Sequence, residues 1–396
     1  MSTANDSAKK MRSGQVAGKL GIIALPGCEE IAKKIDKYIV NWRSEALNSD
    51  ENSLLFEGYY KDSYIIKTNL PRFGTGEAKA VINQSVRGYD IFILIDAFNY
   101  SETFSMHGIE VPMSPDDHFN NLKRVIAAMG GKPRRITVIM PMLYEGRQHK
   151  RTSRESLDCA MALSELCNLY NVDSILTVDA HDARVQNAIP LKGFENVSPV
   201  YQMIKSFVKN VDNIHLDKEH TLIVSPDEGG MSRCIYYATV LGLDVGMFYK
   251  RRDYSTIVNG RNPIISHEFL GDDVKGMDVM VVDDMISSGD SMIEVATRLK
   301  EKGAKRIFIF SSFGIFCEGL NSFDKAYDAG LITKVFTTNL IYRSPELKAR
   351  PWYVEVDMSK YIAYFIDNIN NEHSLATLLN PVDRINSFLK KNGLKD

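Results

Sequence analysis

Six short apolar runs, spaced along most of the chain, constrain its fold more than any other feature. They are IFILID (91–96), ITVIMPM (136–142), SILTVDA (174–180), TLIVSP (221–226), VMVVDD (279–284) and RIFIFSS (306–312). Continuous apolar runs of this kind fit strands of a parallel sheet covered on both faces. Helix-like segments lie between them, such as SRESLDCAMALSELCNLY (153–170) and GDSMIEVATRLKEKG (289–303). The second closes on Lys300, Lys302 and Gly303, a helix stop. Strand–helix alternation predicts a doubly wound α/β architecture.

A length of 396 residues allows two or three domains, each with its own core. The stretch QNAIPLKGFENVSPV (186–200) has weak periodicity and reads as the inter-domain connection. Two similar doubly wound domains with mostly parallel sheets are therefore expected, over 18–196 and 197–396, behind a disordered tail of 1–17. Residues 44–70 and 99–117 read as surface insertions.

The formal net charge is -2, so no basic field exists to hold nucleic acid or an anionic membrane. Anionic ligands must be bound by local clusters of donors. Cys28, Cys159, Cys167, Cys234 and Cys317 are odd in number and contain no CxxC pair, which points to reduced thiols rather than disulfides or zinc. The opening MSTANDSAKKMRSGQ lacks the apolar core of a signal peptide, and no apolar run approaches the ~20 residues that span a bilayer. A cytoplasmic protein is expected.

The segment richest in chemistry is VVDDMISSGDS (281–291). A strand ends in Asp283 and Asp284, which can accept hydrogen bonds from sugar hydroxyls. The backbone amides that follow, with the hydroxyls of Ser287, Ser288 and Ser291, can wrap a phosphate at a helix N-terminus. Gly289 permits close backbone approach. Taken alone, the segment reads equally well as a strand–turn–helix whose acids cap the helix.

This loop resembles the phosphoribosyl-diphosphate loop of type I phosphoribosyltransferases, in the version D-D-x-[IV]-D-T-[GA]-G-T of ribose-phosphate diphosphokinases. Asp283, Asp284, Ile286 and Gly289 fit; Ser288 and Ser291 stand for two Thr, Ser287 for an Asp and Asp290 for a Gly. RQHKRTSRES (147–156) is similar to the family's A-R-Q-D-R-K…R-E, with His149 in place of Asp. TVDAHDARVQNAIP (177–190) is similar to T-V-D-L-H-x-x-Q-I-Q…I-P, and SPDEGGMSR (225–233) to S-P-D-x-G-G-x-x-R. YKRRDY (249–254) places Lys250 and Arg252 where the family has a Lys and an Arg at the root of a mobile loop. FGTGEAKAVINQSVRGYD (73–90) resembles F-S-D-G-E…I-N-E-S-V-R-G-x-D, with Thr75 in place of Asp. Alone, each shorter segment reads as an ordinary turn or a solvated basic strand end; in order, they cover about residues 19–380.

The resemblance implies transfer of the diphosphate of ATP to ribose 5-phosphate with Mg²⁺. It implies that Phe73, Glu77, Arg147, Gln148 and His181 hold ATP, and that His181 and Asp227 position the metal. Asp227, Asp283, Asp284 and the 287–291 loop would hold ribose phosphate, with Lys250, Arg252 and His181 catalytic. The family's nucleotide turn works across a subunit contact, implying a dimer-based homo-oligomer, up to a hexamer. Two alternatives stay open: a non-catalytic regulatory paralogue and a phosphoribosyltransferase. The stretch 253–264 is expected to be a mobile lid.

Overall fold

The computed structural model describes residues 16–47, 58–151, 153–252 and 264–395, without the side chains of 46, 47, 250–252 and 264–267. Two compact units emerge. The first runs to Ser198 and includes Asn339–Tyr342 and Asp357–Asn380; the second holds Pro199–Thr338, Arg343–Val356 and the residues from Pro381 on. A contiguous second domain over 197–396 is thus corrected: two segments return to the first unit.

In the first unit the strands are β1 (Lys19–Ala24), β2 (Thr68–Asn69), β3 (Val81–Ile82), β4 (Tyr89–Leu94), β5 (Thr103–Met106), β6 (Ile109–Pro112), β7 (Arg135–Ile139), β8 (Ser174–Val178) and β9 (Gly193–Val197). The main sheet runs β1-β4-β7-β8-β9 and is parallel throughout. Ile91, Phe92, Ile93 and Leu94 are all buried, as a strand covered on both faces requires. On the far side of β1, Ile22 donates to Tyr64 O and accepts from Ile66 N, so residues 64–66 pair there. The winding reverses between that segment and β4. Just beyond β4, buried Asp96 accepts the amides of Phe98 and Tyr342.

Several expectations need correction here. Ile65 forms an isolated bridge to Ile22 of β1, and 44–47 complete the helix Glu29–Leu47, so 44–70 is not simply a surface insertion. The 99–117 stretch holds the β5–β6 hairpin and the start of the helix Pro115–Met129, opened by a Ser114–Asp117 capping box. The supposed connection at 186–200 contains β9, leaving the crossing at Ser198–Pro199. Ala17 is buried and donates to Asn370 O, so the expected tail does not extend to 17; residues 1–15 lie outside the described residues.

The returning helix Ser359–Asn370 is fastened by charge. Arg43 binds Asp367 at 2.8 Å and Asn370 Oδ1 at 2.8 Å, beneath the ring of Tyr59. Fully buried Asp90 accepts both a fork from Arg135, at 2.9 and 2.7 Å, and the Asn370 amide at 2.9 Å.

The second unit contains β10 (Thr221–Ser225), β11 (Asp244–Arg252), β12 (Ile264–Leu270), β13 (Asp278–Ile286), β14 (Arg306–Gly314), β15 (Lys334–Thr338) and β16 (Tyr353–Val356). Their order is β12-β11-β10-β13-β14-β15-β16, parallel except for β12. Phe207, Phe308, Phe310 and Phe336 pack one face, and Phe316, Phe323 and Trp352 the other. From β10 the chain winds to β11 on one side and β13 on the other. Reversal of this kind opens a crevice beyond the carboxyl ends of the two strands. No helix among the described residues is long and apolar enough to cross a membrane.

Candidate functional site

The carboxyl ends of β10 and β13 are neighbours, since Val224 pairs with Val281. At the end of β13, Asp284 is buried and its amide donates to Asp283 Oδ1 at 2.9 Å. Arg233, in the first turn of the helix Met231–Leu241, brings Nη1 to 3.6 Å from the same oxygen. Burial, then the adjacent Asp284, push the Asp283 carboxyl well above the ordinary carboxylate range, and Arg233 only partly opposes them. A carboxyl shifted in this direction keeps its proton to higher pH than a free aspartate does.

Beyond the acids the chain turns through Ser287, Ser288 and Gly289 into the helix Asp290–Glu301. Ile286 O accepts from Ile315 N, and Ser287 O from Cys317 N, both at 2.9 Å. Gly289 has φ +94, and a Cβ there would lie 2.2 Å from the Phe323 ring. The glycine is therefore demanded by the fold itself, beyond any ligand contact. It supplies no side-chain cap to the helix; Ser288 Oγ accepts the Asp290 amide at 3.4 Å, and the next amides of the turn, near exposed Ser291, face the place an anion would take.

The turn after β10 is built in parallel. Ser225 Oγ donates to Asp227 O at 2.6 Å, and Asp227 Oδ1 accepts the amides of Gly229 (2.9 Å) and Gly230 (3.3 Å). A Cβ on Gly230 would meet Ser225 Oγ at 2.8 Å. Asp227 is thus fixed through one oxygen while Oδ2 remains for a cation. That donor fits Mg²⁺, which binds through one or two carboxylates plus substrate phosphates rather than in a full protein cage. The described residues contain no cluster of three or more His, Cys, Asp or Glu side chains set to hold a metal. His181 belongs to the first unit and Asp227 to the second.

In the first unit, His181 follows β8 on a turn where Asp179 takes φ +46 and Ala180 N donates to Asn196 Oδ1 at 3.0 Å. Its ring lies edge-on to that of His149, 5.2 Å between centroids. His149 Nε2 stands 3.4 Å from Asp182 Oδ2. Burial lowers the His149 pKa below its usual value, against the pull of Asp182. The Asp182 carboxyl is itself held far down by its hydrogen bonds from Arg184. Arg147 and Gln148 are exposed on the turn after β7. Phe73 is 54% exposed at the tip of another turn, where Thr75 Oγ1 donates to Glu77 at 2.9 Å.

The structure thus brings Asp227, Asp283, Asp284, Ser287, Ser288, Gly289 and Ser291 to one end of the second sheet. Phe73, Glu77, Arg147, Gln148 and His181 are in the first unit. Lys250 and Arg252 end β11, paired through the backbone with His267 and Ile264, and the register is irregular between Arg251 and Arg252. The expected lid at 253–264 falls outside the described residues except for Ile264. Sequence reading missed Phe323 and Cys317, which shape the 286–289 loop from some 30 residues away. No local spacing signals them.

Comparison with known proteins points the same way. Residues 20–169 match the profile for the N-terminal domain of ribose phosphate pyrophosphokinase, and residues 194–325 that for the phosphoribosyl transferase domain. A ribose-phosphate pyrophosphokinase of Vibrio parahaemolyticus is 30% identical over 316 residues, 79% of this chain and 90% of its own length. One from Pasteurella multocida is 31% identical over 314 residues, 78% of this chain and 89% of its own. A solved phosphoribosylpyrophosphate synthetase from Mycobacterium smegmatis superposes with a TM-score of 0.69, covering 89% of this chain and 99% of that one. At 21% identity, that likeness establishes the fold alone.

Proposed function

Since the chain belongs to the ribose-phosphate pyrophosphokinase family, we propose that it transfers the diphosphate of ATP to the anomeric hydroxyl of ribose 5-phosphate. The products are 5-phosphoribosyl 1-diphosphate and AMP. The observation that carries the reading is the pairing of Asp283–Asp284 and its serine-rich loop with the Asp227 turn at one strand-order reversal. A sugar phosphate placed there meets acids at its hydroxyls and amides at its phosphate.

The anomeric hydroxyl attacks the β-phosphorus in line, and AMP leaves with the bridging oxygen. Asp283 and Asp284 orient the ribose hydroxyls; the 287–291 loop holds the 5-phosphate. Phe73, Glu77, Arg147 and Gln148 hold ATP, with His181 at the phosphate chain. Lys250 and Arg252 stabilise the charge on the transferring group, where positioning and electrostatics do most of the work. Asp227 and His181 would hold Mg²⁺, which when bound would supply neutralisation of phosphate charge. A cytoplasmic, dimer-based homo-oligomer accords with this role.

A second reading rests on Thr75, His149, Ser287 and Asp290, four of the departures from the family pattern. They suit a regulatory paralogue that joins an active synthase. A phosphoribosyltransferase, which consumes rather than makes the activated sugar, accords less well with two full α/β units. Incubation with ribose 5-phosphate, Mg²⁺ and a panel of nucleotides, following nucleoside monophosphate release, separates them. Release from ATP is expected; none with any nucleotide overturns the enzymatic reading.

A further inference from the structure

The β5–β6 hairpin adds nothing to the main sheet, yet it is joined to the turn that carries Phe73 and Glu77. The turn closes on itself, with Phe73 N donating to Glu77 O at 2.7 Å and Gly76 N to Phe73 O at 2.8 Å. The hairpin meets it at three points. His107 N donates to Gly74 O at 2.8 Å. The guanidinium of Arg72, at the root of the turn, lies 3.9 Å from the Phe104 ring centroid. Gly76 has φ +91, and a Cβ there would stand 2.8 Å from Met106 Sδ. Along β5, Phe104 and Met106 are half-buried while Thr103 and Ser105 are exposed, the period of a strand with one face engaged.

Arg72 is the centre of this arrangement. Nη1 donates to Gly76 O at 3.0 Å and to Asp117 Oδ1 at 3.1 Å. Asp117 is itself fixed by the Ser114 capping box at the start of the helix Pro115–Met129. The Arg72 side chain is only 10% exposed, and its Nε and Nη2 have no hydrogen-bond partner. A cation so desolvated stays in place through its ring stack and its carboxylate, and it has few other positions to adopt. By contrast, the Phe73 ring at the tip is 54% exposed. An open aromatic on a rigid support is what a stacking contact with a planar ligand requires, because little freedom is then lost on binding.

We propose that the β5–β6 hairpin, through Phe104 and Arg72, positions the Phe73–Glu77 turn and so determines nucleotide affinity and discrimination. Phe104 and Arg72 are positioning residues, and neither touches the substrate. This inference rests on the proposed assignment of Phe73 and Glu77 to ATP. Loss of the Phe104 ring frees the turn, which weakens the site for every nucleotide and blurs its preference among bases.

The test uses full-length Phe104→Leu, Phe104→Tyr and Phe73→Ala proteins. It reads kcat, the KM for ATP and for ribose 5-phosphate, the ATP/GTP ratio of kcat/KM, and ATP affinity by calorimetry. Phe104→Leu is expected to raise KM and Kd for ATP about tenfold, within the roughly 100-fold that misplacement of a positioning group can cost. Its kcat and its KM for ribose 5-phosphate stay within twofold, its ATP/GTP ratio falls towards one, and Phe104→Tyr restores wild-type values. If Phe73→Ala weakens ATP binding but Phe104→Leu does not, the positioning role is wrong and the ATP assignment stands. If Phe73→Ala leaves ATP binding unchanged, the assignment beneath it fails and the inference falls with it. Equal losses in kcat and in both KM values for Phe104→Leu, with a lowered Tm, would mean a purely structural hairpin.

Discussion

The carboxylate of Asp283 accepts the backbone amide of Asp284 at 2.9 Å, so two acids adjacent along β13 are held against each other where burial favours neutrality. The folded protein therefore retains a proton on Asp283 to higher pH than the unfolded chain does. For a raised acid pKa, stability is full below the unfolded value near 4 and is lost as pH rises through the folded value. Asp283→Asn removes that loss. Its Tm should exceed wild type at pH 8, by about 2–4 °C for each kcal/mol gained, with the gap closing towards pH 4. The same variant should bind ribose 5-phosphate more weakly. Thermal scans across that range check it, and a gap independent of pH counts against the burial argument.

Gly289 and Phe323 set a second expectation. Alanine at 289 must accept a left-handed backbone and a methyl 2.2 Å from the ring. Overpacking of this sort costs about 1–3 kcal/mol. Gly289→Ala should lower Tm, and Phe323→Leu, harmful alone, should return part of that loss in the double variant. A double-mutant cycle showing simple additivity would mean that the ring is not the obstacle.

Lys250 lies in the last turn-ward residues of β11, and the strand continues through Arg252. If it neutralises charge arising on the transferring diphosphate, Lys250→Ala should lower kcat by about 100-fold or more, the scale of one lost preorganised donor. The KM for ribose 5-phosphate should move little. Arg251→Ala, the next residue along an alternating strand, should be nearly silent. Equal damage from both substitutions would show that the roles along this strand end are misassigned.

In the first unit, Arg135→Met would leave Asp90 buried without its cation. Breaking one partner of a buried pair costs about 3–5 kcal/mol. Denaturant unfolding of the first unit should show that loss, and Arg135→Met combined with Asp90→Asn should lose less than Arg135→Met alone, because Asn370 can still bond the amide side chain.

What could be read from residues alone follows burial. IFILID and VMVVDD announced strands because both sheet faces cover them. The GIIA of β1 offers only two large apolar residues, and the YII at 64–66, inside a stretch read as a surface insertion, meets the sheet through Ile22 alone. The Pro and Asn residues around β9 suggested a linker, whereas the pairing of Ser174 with Gly193 makes it a strand. The turn at Asp227 was legible as a turn, because its glycines make a local pattern. The hairpin behind Phe73 was not, because its hold is made by Arg72 and Phe104, 32 residues apart with no periodicity between them. The reason Gly289 must be glycine also lay out of reach, since Phe323 belongs to a different helix.

The late return of Asp357–Asn380 to the first unit bears on how the protein comes off the ribosome. When Ser198 has been made, Arg43 still lacks Asp367 and Asp90 still lacks Asn370. At about 5–20 residues per second, the 182 residues between 198 and 380 take roughly 10–40 s to synthesise. Throughout that interval the nascent first unit carries an open flank of unmatched charge and aromatic rings. A chain truncated inside the second unit before Asp357 would lack Asp367 and Asn370 and leave Arg43 and Asp90 without those partners.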